Sequence, residues 1–138
     1  MTYKLYFDGC CKGNPGPCGI GAVIYKDDTE IWGDSNFLSE HSTNNQSEYN
    51  ALIFGLKKAL ELNIYYLDVF GDSLLVINQT NGKFKVSNNG LKILHEAVTN
   101  LKTQFKKITF NHIPREKNTR ADYLSNVGFR KIINHLNI

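Results

Sequence analysis

The chain has 138 residues, 41% of them hydrophobic and 21% charged, with a formal net charge of +3. That length suits one domain, residues 1–138, with enough apolar surface to fold on a single core. Apolar and aromatic residues are spread along the whole sequence, which excludes a disordered or low-complexity chain. No apolar run reaches the ~20 residues that a membrane-spanning helix needs, and a mild positive charge permits a nucleic-acid partner without requiring one.

Thr2, Lys4 and Tyr6 alternate with Tyr3, Leu5 and Phe7, the period of a strand, and the segment lacks the basic-then-apolar pattern of a leader peptide. Asp8-Gly9 follows, then a segment from Cys10 to Pro17 whose glycines and prolines predict a loop. Gly19 to Lys26 and Glu30 to Leu38 read as two further strands joined by a turn at Asp27-Asp28, completing an antiparallel meander. Thr43 and Gln46 stand at capping-box spacing ahead of a helix that runs to Asn63, with Tyr49, Leu52, Ile53, Leu56, Ala59 and Leu60 on its apolar stripe. Tyr65 to Phe70 is a buried strand, and Gly71-Asp72-Ser73 opens a short helix from Leu74 to Thr80. Leu91, Leu94, Val98 and Leu101 mark another helix, Lys107 to Asn111 a last strand, and Arg120 to about Leu136 a last helix with Ala121, Leu124, Gly128 and Ile132 inward. The order β-β-β-α-β-α-α-β-α predicts an α/β fold, a five-stranded mixed sheet with helices on both faces.

The cysteines are Cys10, Cys11 and Cys18. An odd count with two sequence neighbours forms no disulfide framework or zinc-finger spacing, and it predicts reduced thiols in a cytoplasmic protein. The glycosylation sequons at Asn45 and Asn78 are discounted on the same expectation. Gly13 to Gly19 resembles a phosphate cradle, but it lacks Gly-Lys-Ser/Thr and leads into a strand, so a nucleotide-binding loop is not expected.

Four carboxylates fall where sites form. Asp8 ends the first strand and Asp72 the fourth, Glu48 lies in the first turns of the long helix, and Asp122 begins the last helix. Each has a local explanation as turn, cap or solvated group. Together they converge on one sheet edge, where parallel strand ends build sites. Acids packed that closely repel, and a hard divalent cation with oxygen ligands relieves them. Mg²⁺ suits phosphate chemistry, and a pair of ions can activate a water and stabilise the leaving oxygen of a phosphodiester.

Asp8-Gly9, the Gly13-Asn14-Pro15-Gly16-Pro17 loop, Thr43-Asn44-Asn45 before Glu48, Gly71-Asp72-Ser73, His112 and Ala121-Asp122-Tyr123-Leu124 together resemble ribonuclease H type 1 over nearly the whole chain. The resemblance implies hydrolysis of the RNA strand of an RNA–DNA hybrid, leaving 5′-phosphate and 3′-hydroxyl ends. It implies that Asp8, Glu48, Asp72 and Asp122 bind two Mg²⁺ ions, with Mn²⁺ as a substitute, and that His112 assists product release or proton transfer. Asn14, Asn44 and Asn45, with backbone amides near Gly9 and Cys10, would meet the ribose 2′-OH or the bases, and Thr43 a phosphate of the DNA strand.

The chain departs from the family in places. Tryptophans common after the second short helix are replaced by Gly82-Lys83-Phe84-Lys85-Val86, where Phe84 would supply the apolar contact and its lysines the charge. The stretch from Thr80 to Asn89 is too short for a basic protruding helix, and with the first strand read from Tyr3 no hybrid-binding domain is expected ahead of it. The sequence therefore predicts weak, salt-sensitive hybrid binding through lysines such as Lys12, Lys83 and Lys85. It requires no membrane, no protein partner and nothing larger than a monomer. A non-cutting hybrid- or RNA-binding module, a DNA-directed relative, and double-stranded RNA cleavage stay open as alternatives.

Overall fold

The computed structural model describes residues 2–131. Strands β1 (Tyr3–Cys11), β2 (Gly16–Lys26) and β3 (Thr29–Ser42) form the meander, followed by helix α1 (Asn44–Glu61) and strand β4 (Tyr66–Gly71). Helices α2 (Leu74–Thr80) and α3 (Asn89–Lys102), strand β5 (Lys107–His112), a single 3-10 turn at Arg115–Lys117 and helix α4 (Thr119–Arg130) complete the order. The sheet runs β3-β2-β1-β4-β5. β1, β2 and β3 pair antiparallel, whereas β1, β4 and β5 pair parallel. The predicted mixed sheet is the one observed. The expected inward position of Ile132 and helix end near Leu136 lie outside the described residues.

α1 forms because Thr43 and Gln46 satisfy each other's free backbone groups. The Thr43 hydroxyl accepts from the Gln46 N–H at 3.2 Å, and the Gln46 side chain accepts from the Thr43 N–H at 2.9 Å. The helix buries Tyr49, Leu52, Leu56 and Ala59 against Leu5 and Phe7 of β1, Ile24 of β2 and Val69 of β4. On the opposite face α4 lays Ala121 and Leu124 over Val23, with Tyr6 and Tyr25 at the border. That second contact is backbone on backbone. A Cβ on Gly19 would fall 2.0 Å from the Phe129 nitrogen, and one on Gly128 would fall 2.3 Å from the Asn36 carbonyl oxygen. Only glycine admits such an approach.

The loop predicted from Cys10 to Pro17 is shorter than expected. β1 continues to Cys11 and β2 begins at Gly16, leaving a turn of residues 12–15 with a cis bond before Pro15. Pro17 is accommodated where the β2–β3 register shifts between Gly16 and Cys18, so its missing N–H breaks no regular ladder. β3 likewise runs past the predicted Leu38 to Ser42. The extended hairpin also corrects the cysteine reading. Cys11 lies opposite Cys18 with Cα atoms 4.1 Å apart and the two form a disulfide, leaving Cys10 as the free thiol among them. Reading Cys11 as a loop residue and starting the second strand only at Gly19 concealed a register that sets Cys11 and Cys18 face to face.

Candidate active site

β1 and β4 run parallel with Tyr6 level with Phe70, so Asp8 and Asp72, two residues further along each, emerge at one edge of the sheet. α1 crosses that edge at Gly9. A Cβ there would fall 2.2 Å from Ser47 Oγ and 2.7 Å from the Ser47 backbone, so the glycine lets the helix lie against the strand. The Gly9 N–H consequently donates to Asp8 Oδ1 at 2.9 Å and also to Glu48 Oε1. One backbone amide thereby fixes two carboxylates. Oxygens of Asp8, Glu48 and Asp72 lie within 4.8 Å of one another. Asp122, in the first turn of α4, lines the same cleft, which also holds Lys12, Asn44, Asn45, Arg115 and Asn126 and has a volume of about 560 Å³.

The cluster is electrostatically costly while it holds only protons. Burial is the main cause that pushes Asp8 from 3.8 up to about 7; repulsion from Asp72 and Asp122 adds to it, and a hydrogen bond with Glu48 opposes it. Burial likewise drives Glu48 well above the usual carboxylate range, reinforced by Asp8. Asp72 is raised by burial, while the Arg115 guanidinium and the Asn118 amide pull the other way. A convergent set of hard oxygen donors, too crowded to ionise freely, fits a hard divalent cation. The residues present fit the metal chemistry expected of them.

Residues 6–128 match the family model described as "Reverse transcriptase-like". A protein of Pseudomonas putida named Ribonuclease H is 35% identical over 146 residues, covering 95% of this chain and 95% of its own length. The chain belongs to the ribonuclease H family. A bifunctional protein of Mycobacterium tuberculosis is 39% identical over 127 residues, and the match spans 91% of this chain but only 35% of that protein. Among solved structures, LC11-RNase H1 in complex with an RNA/DNA hybrid superimposes with a TM-score of 0.89 at 34% identity, covering 96% of this chain and 99% of that one.

Within this ribonuclease H fold the other predicted residues take distinct places. Asn44 and Asn45 line the acidic cleft from the start of α1, together with Gly9 and Cys10. Asn14 stands beside them, its Oδ1 accepting from the Asn44 N–H at 3.0 Å. The Thr43 hydroxyl already accepts the helix-capping bond. His112 is the exposed last residue of β5, level with Gly71 and thus one strand away from Asp72. Phe84 is not brought to the acids: it is 46% exposed and lines a separate cleft of about 470 Å³ with Lys85, Lys92, His95 and Lys102.

Three residues absent from the sequence reading border the acids. Arg115 Nη2 lies 4.0 Å from Asp122 Oδ1. Asn126 donates through Nδ2 to the Asp122 carbonyl at 2.9 Å and accepts through Oδ1 from the Cys10 thiol at 3.2 Å. Asn118 is buried beneath them and donates to the Phe7 carbonyl at 3.0 Å. The sequence reading starts the last helix at Arg120, whereas the structure starts it at Thr119 with Asn118 as the residue before it.

Proposed function

We propose that this chain is an endoribonuclease that hydrolyses the RNA strand of RNA–DNA hybrids with two divalent metal ions, giving 5′-phosphate and 3′-hydroxyl ends. The observation that carries the reading is the convergence of Asp8, Glu48 and Asp72 within 4.8 Å, with Asp122 on the same cleft wall. A binding module needs no such set, since buried acids repel a phosphate backbone unless they hold cations. When bound, Mg²⁺ supplies an activated water and charge stabilisation for the leaving oxygen, and Mn²⁺ substitutes for it.

The chain's own groups do the rest. Asp8 and Asp72 present ligand oxygens from rigid strand ends, and Gly9 N–H fixes the Asp8 and Glu48 carboxylates before any ion arrives. Asp122 adds its carboxylate from α4, with Arg115 beside it. Glu48 also accepts a ribose hydroxyl, and Asn14, Asn44 and Asn45 at the start of α1 read the 2′-OH that separates RNA from DNA. Thr43 grips a phosphate of the DNA strand, and Phe84 with Lys83 and Lys85 carries that strand further out. His112, exposed at the end of β5, serves product release or proton transfer. The hybrid complex of LC11-RNase H1 supports the choice of substrate.

The test is incubation of a strand-labelled hybrid, the matching RNA duplex and the matching DNA duplex with Mg²⁺, using wild type and Asp8→Asn. Cutting of the hybrid's RNA strand, abolished in the mutant, is expected. Binding of the hybrid without cleavage under Mg²⁺ or Mn²⁺ would establish a non-cutting module instead, and equal cutting of the RNA duplex would broaden the substrate class.

A further inference from the structure

Asn118 occupies the point where β1 and β4 separate. The two strands pair as far as Tyr6 and Phe70. One residue later the Phe7 carbonyl takes its hydrogen bond from Asn118 Nδ2 at 3.0 Å, across 111 residues of sequence. Phe7 immediately precedes Asp8, so this bond ties the backbone of the first acid to the start of α4. The main-chain carbonyl of Asn118 in turn accepts the Asp122 N–H at 3.0 Å. Asn118 thus ties β1 through its side chain and the first turn of α4 through its main chain, and these elements carry Asp8 and Asp122.

The side chain performs this at the expense of its ordinary role. An asparagine in the residue before a helix usually turns its oxygen to the free helix N–H groups. Here α4 has no side-chain cap, and Asn118 Oδ1 is buried without a hydrogen-bond partner, although the residue is only 1% exposed. The orientation is chemically fixed. The Phe7 carbonyl can only accept, so the atom facing it must be the amide donor.

We infer that Asn118 is a positioning residue of the metal site, its side chain tying the backbone at Asp8 to the start of the helix that carries Asp122 without touching substrate. The inference rests on the ribonuclease H reading for its catalytic consequence but not for its metal consequence. Residues that orient metal ligands typically cost ~10–100-fold in metal affinity or activity when removed.

The test compares wild type, Asn118→Ala and Asn118→Ser by calorimetric titration of Mn²⁺ into the protein alone, by kcat and KM on a hybrid, and by urea unfolding. In Asn118→Ala, Mn²⁺ affinity and kcat should each fall ~10-fold or more while KM stays within about threefold, with partial recovery in Asn118→Ser, which keeps a donor. Where the alanine variant does not fold, the serine variant is read by the same criteria against wild type. Unchanged Mn²⁺ affinity and kcat in a folded variant, with only a lower urea midpoint, would make Asn118 a structural tie and overturn the inference. A wild type that binds Mn²⁺ but leaves the hybrid intact would instead overturn the ribonuclease reading, while the Mn²⁺ titrations still decide the role of Asn118.

Discussion

Asp8 concentrates the cost of assembling this site. It is 5% exposed, and burial with its acidic neighbours lifts its pKa from 3.8 to about 7. The folded protein therefore keeps a proton that the unfolded chain has released. That contribution to stability is fully present below about pH 4 and is lost as pH rises through about 7. Metal-free protein should accordingly lose stability across this window. Asp8→Asn, which carries no charge, should be more stable than wild type at about pH 8 by on the order of 2 kcal/mol. Urea unfolding with a chelator at about pH 5 and pH 8 checks this, and a mutant with no advantage at the higher pH contradicts it. Gly9 is the second residue on which the geometry turns. Gly9→Ala must push α1 off β1, because the new Cβ meets Ser47 within 2.2–2.7 Å. Misplacing Glu48 by about 1 Å is expected to lower hybrid cleavage ~10²-fold in a protein that still folds. Near wild-type turnover would show that the helix position is not critical.

Among the elements, α4 carries Asp122 and depends on glycine for its seat on β2. In Gly128→Ala the Cβ would lie 2.3 Å from the Asn36 carbonyl oxygen and 2.8 Å from that of Ile20, so the helix has to lift. A loss of about 1–3 kcal/mol in urea unfolding is expected, together with weaker Mn²⁺ binding as Asp122 shifts. An unchanged midpoint would mean that the helix seat is softer than its contacts imply. These elements differ in how legible they were. α1 announced itself through Thr43, Gln46 and a stripe of large apolar residues, and the acids were visible because strand ends and helix starts are marked by glycine and polar residues. The hairpin of β1 and β2 was not, since Gly13, Gly16, Pro15 and Pro17 signal a turn but do not say how short it is. With the register hidden, so was the Cys11–Cys18 pair. Asn118 and Arg115 escaped for another reason: a lone asparagine or arginine has no period, and the contact of Asn118 with Phe7, 111 residues away, exists only once β1 and α4 are assembled.

For the whole molecule, a formal charge of +3 coexists with an acidic edge. Attraction for a nucleic acid must then come from a few cations around that edge, Lys12 in the cleft and Lys83 and Lys85 further out, and from metal ions that cancel the acids. Hybrid binding measured in Mg²⁺ at increasing monovalent salt should weaken with a log–log slope of about −2 to −4, reflecting roughly three phosphate contacts. A slope near zero would point to non-electrostatic recognition. The central claim is that these acids form a metal-dependent site that cuts RNA paired to DNA. Its most direct measurement is cleavage of a strand-labelled hybrid with Mg²⁺ present and then chelated, by wild type and Asp8→Asn. The account predicts 5′-phosphate RNA fragments from wild type with Mg²⁺ only, and an intact DNA strand throughout. Cleavage that persists after chelation or in Asp8→Asn, or tight hybrid binding with no cleavage at all, would contradict it.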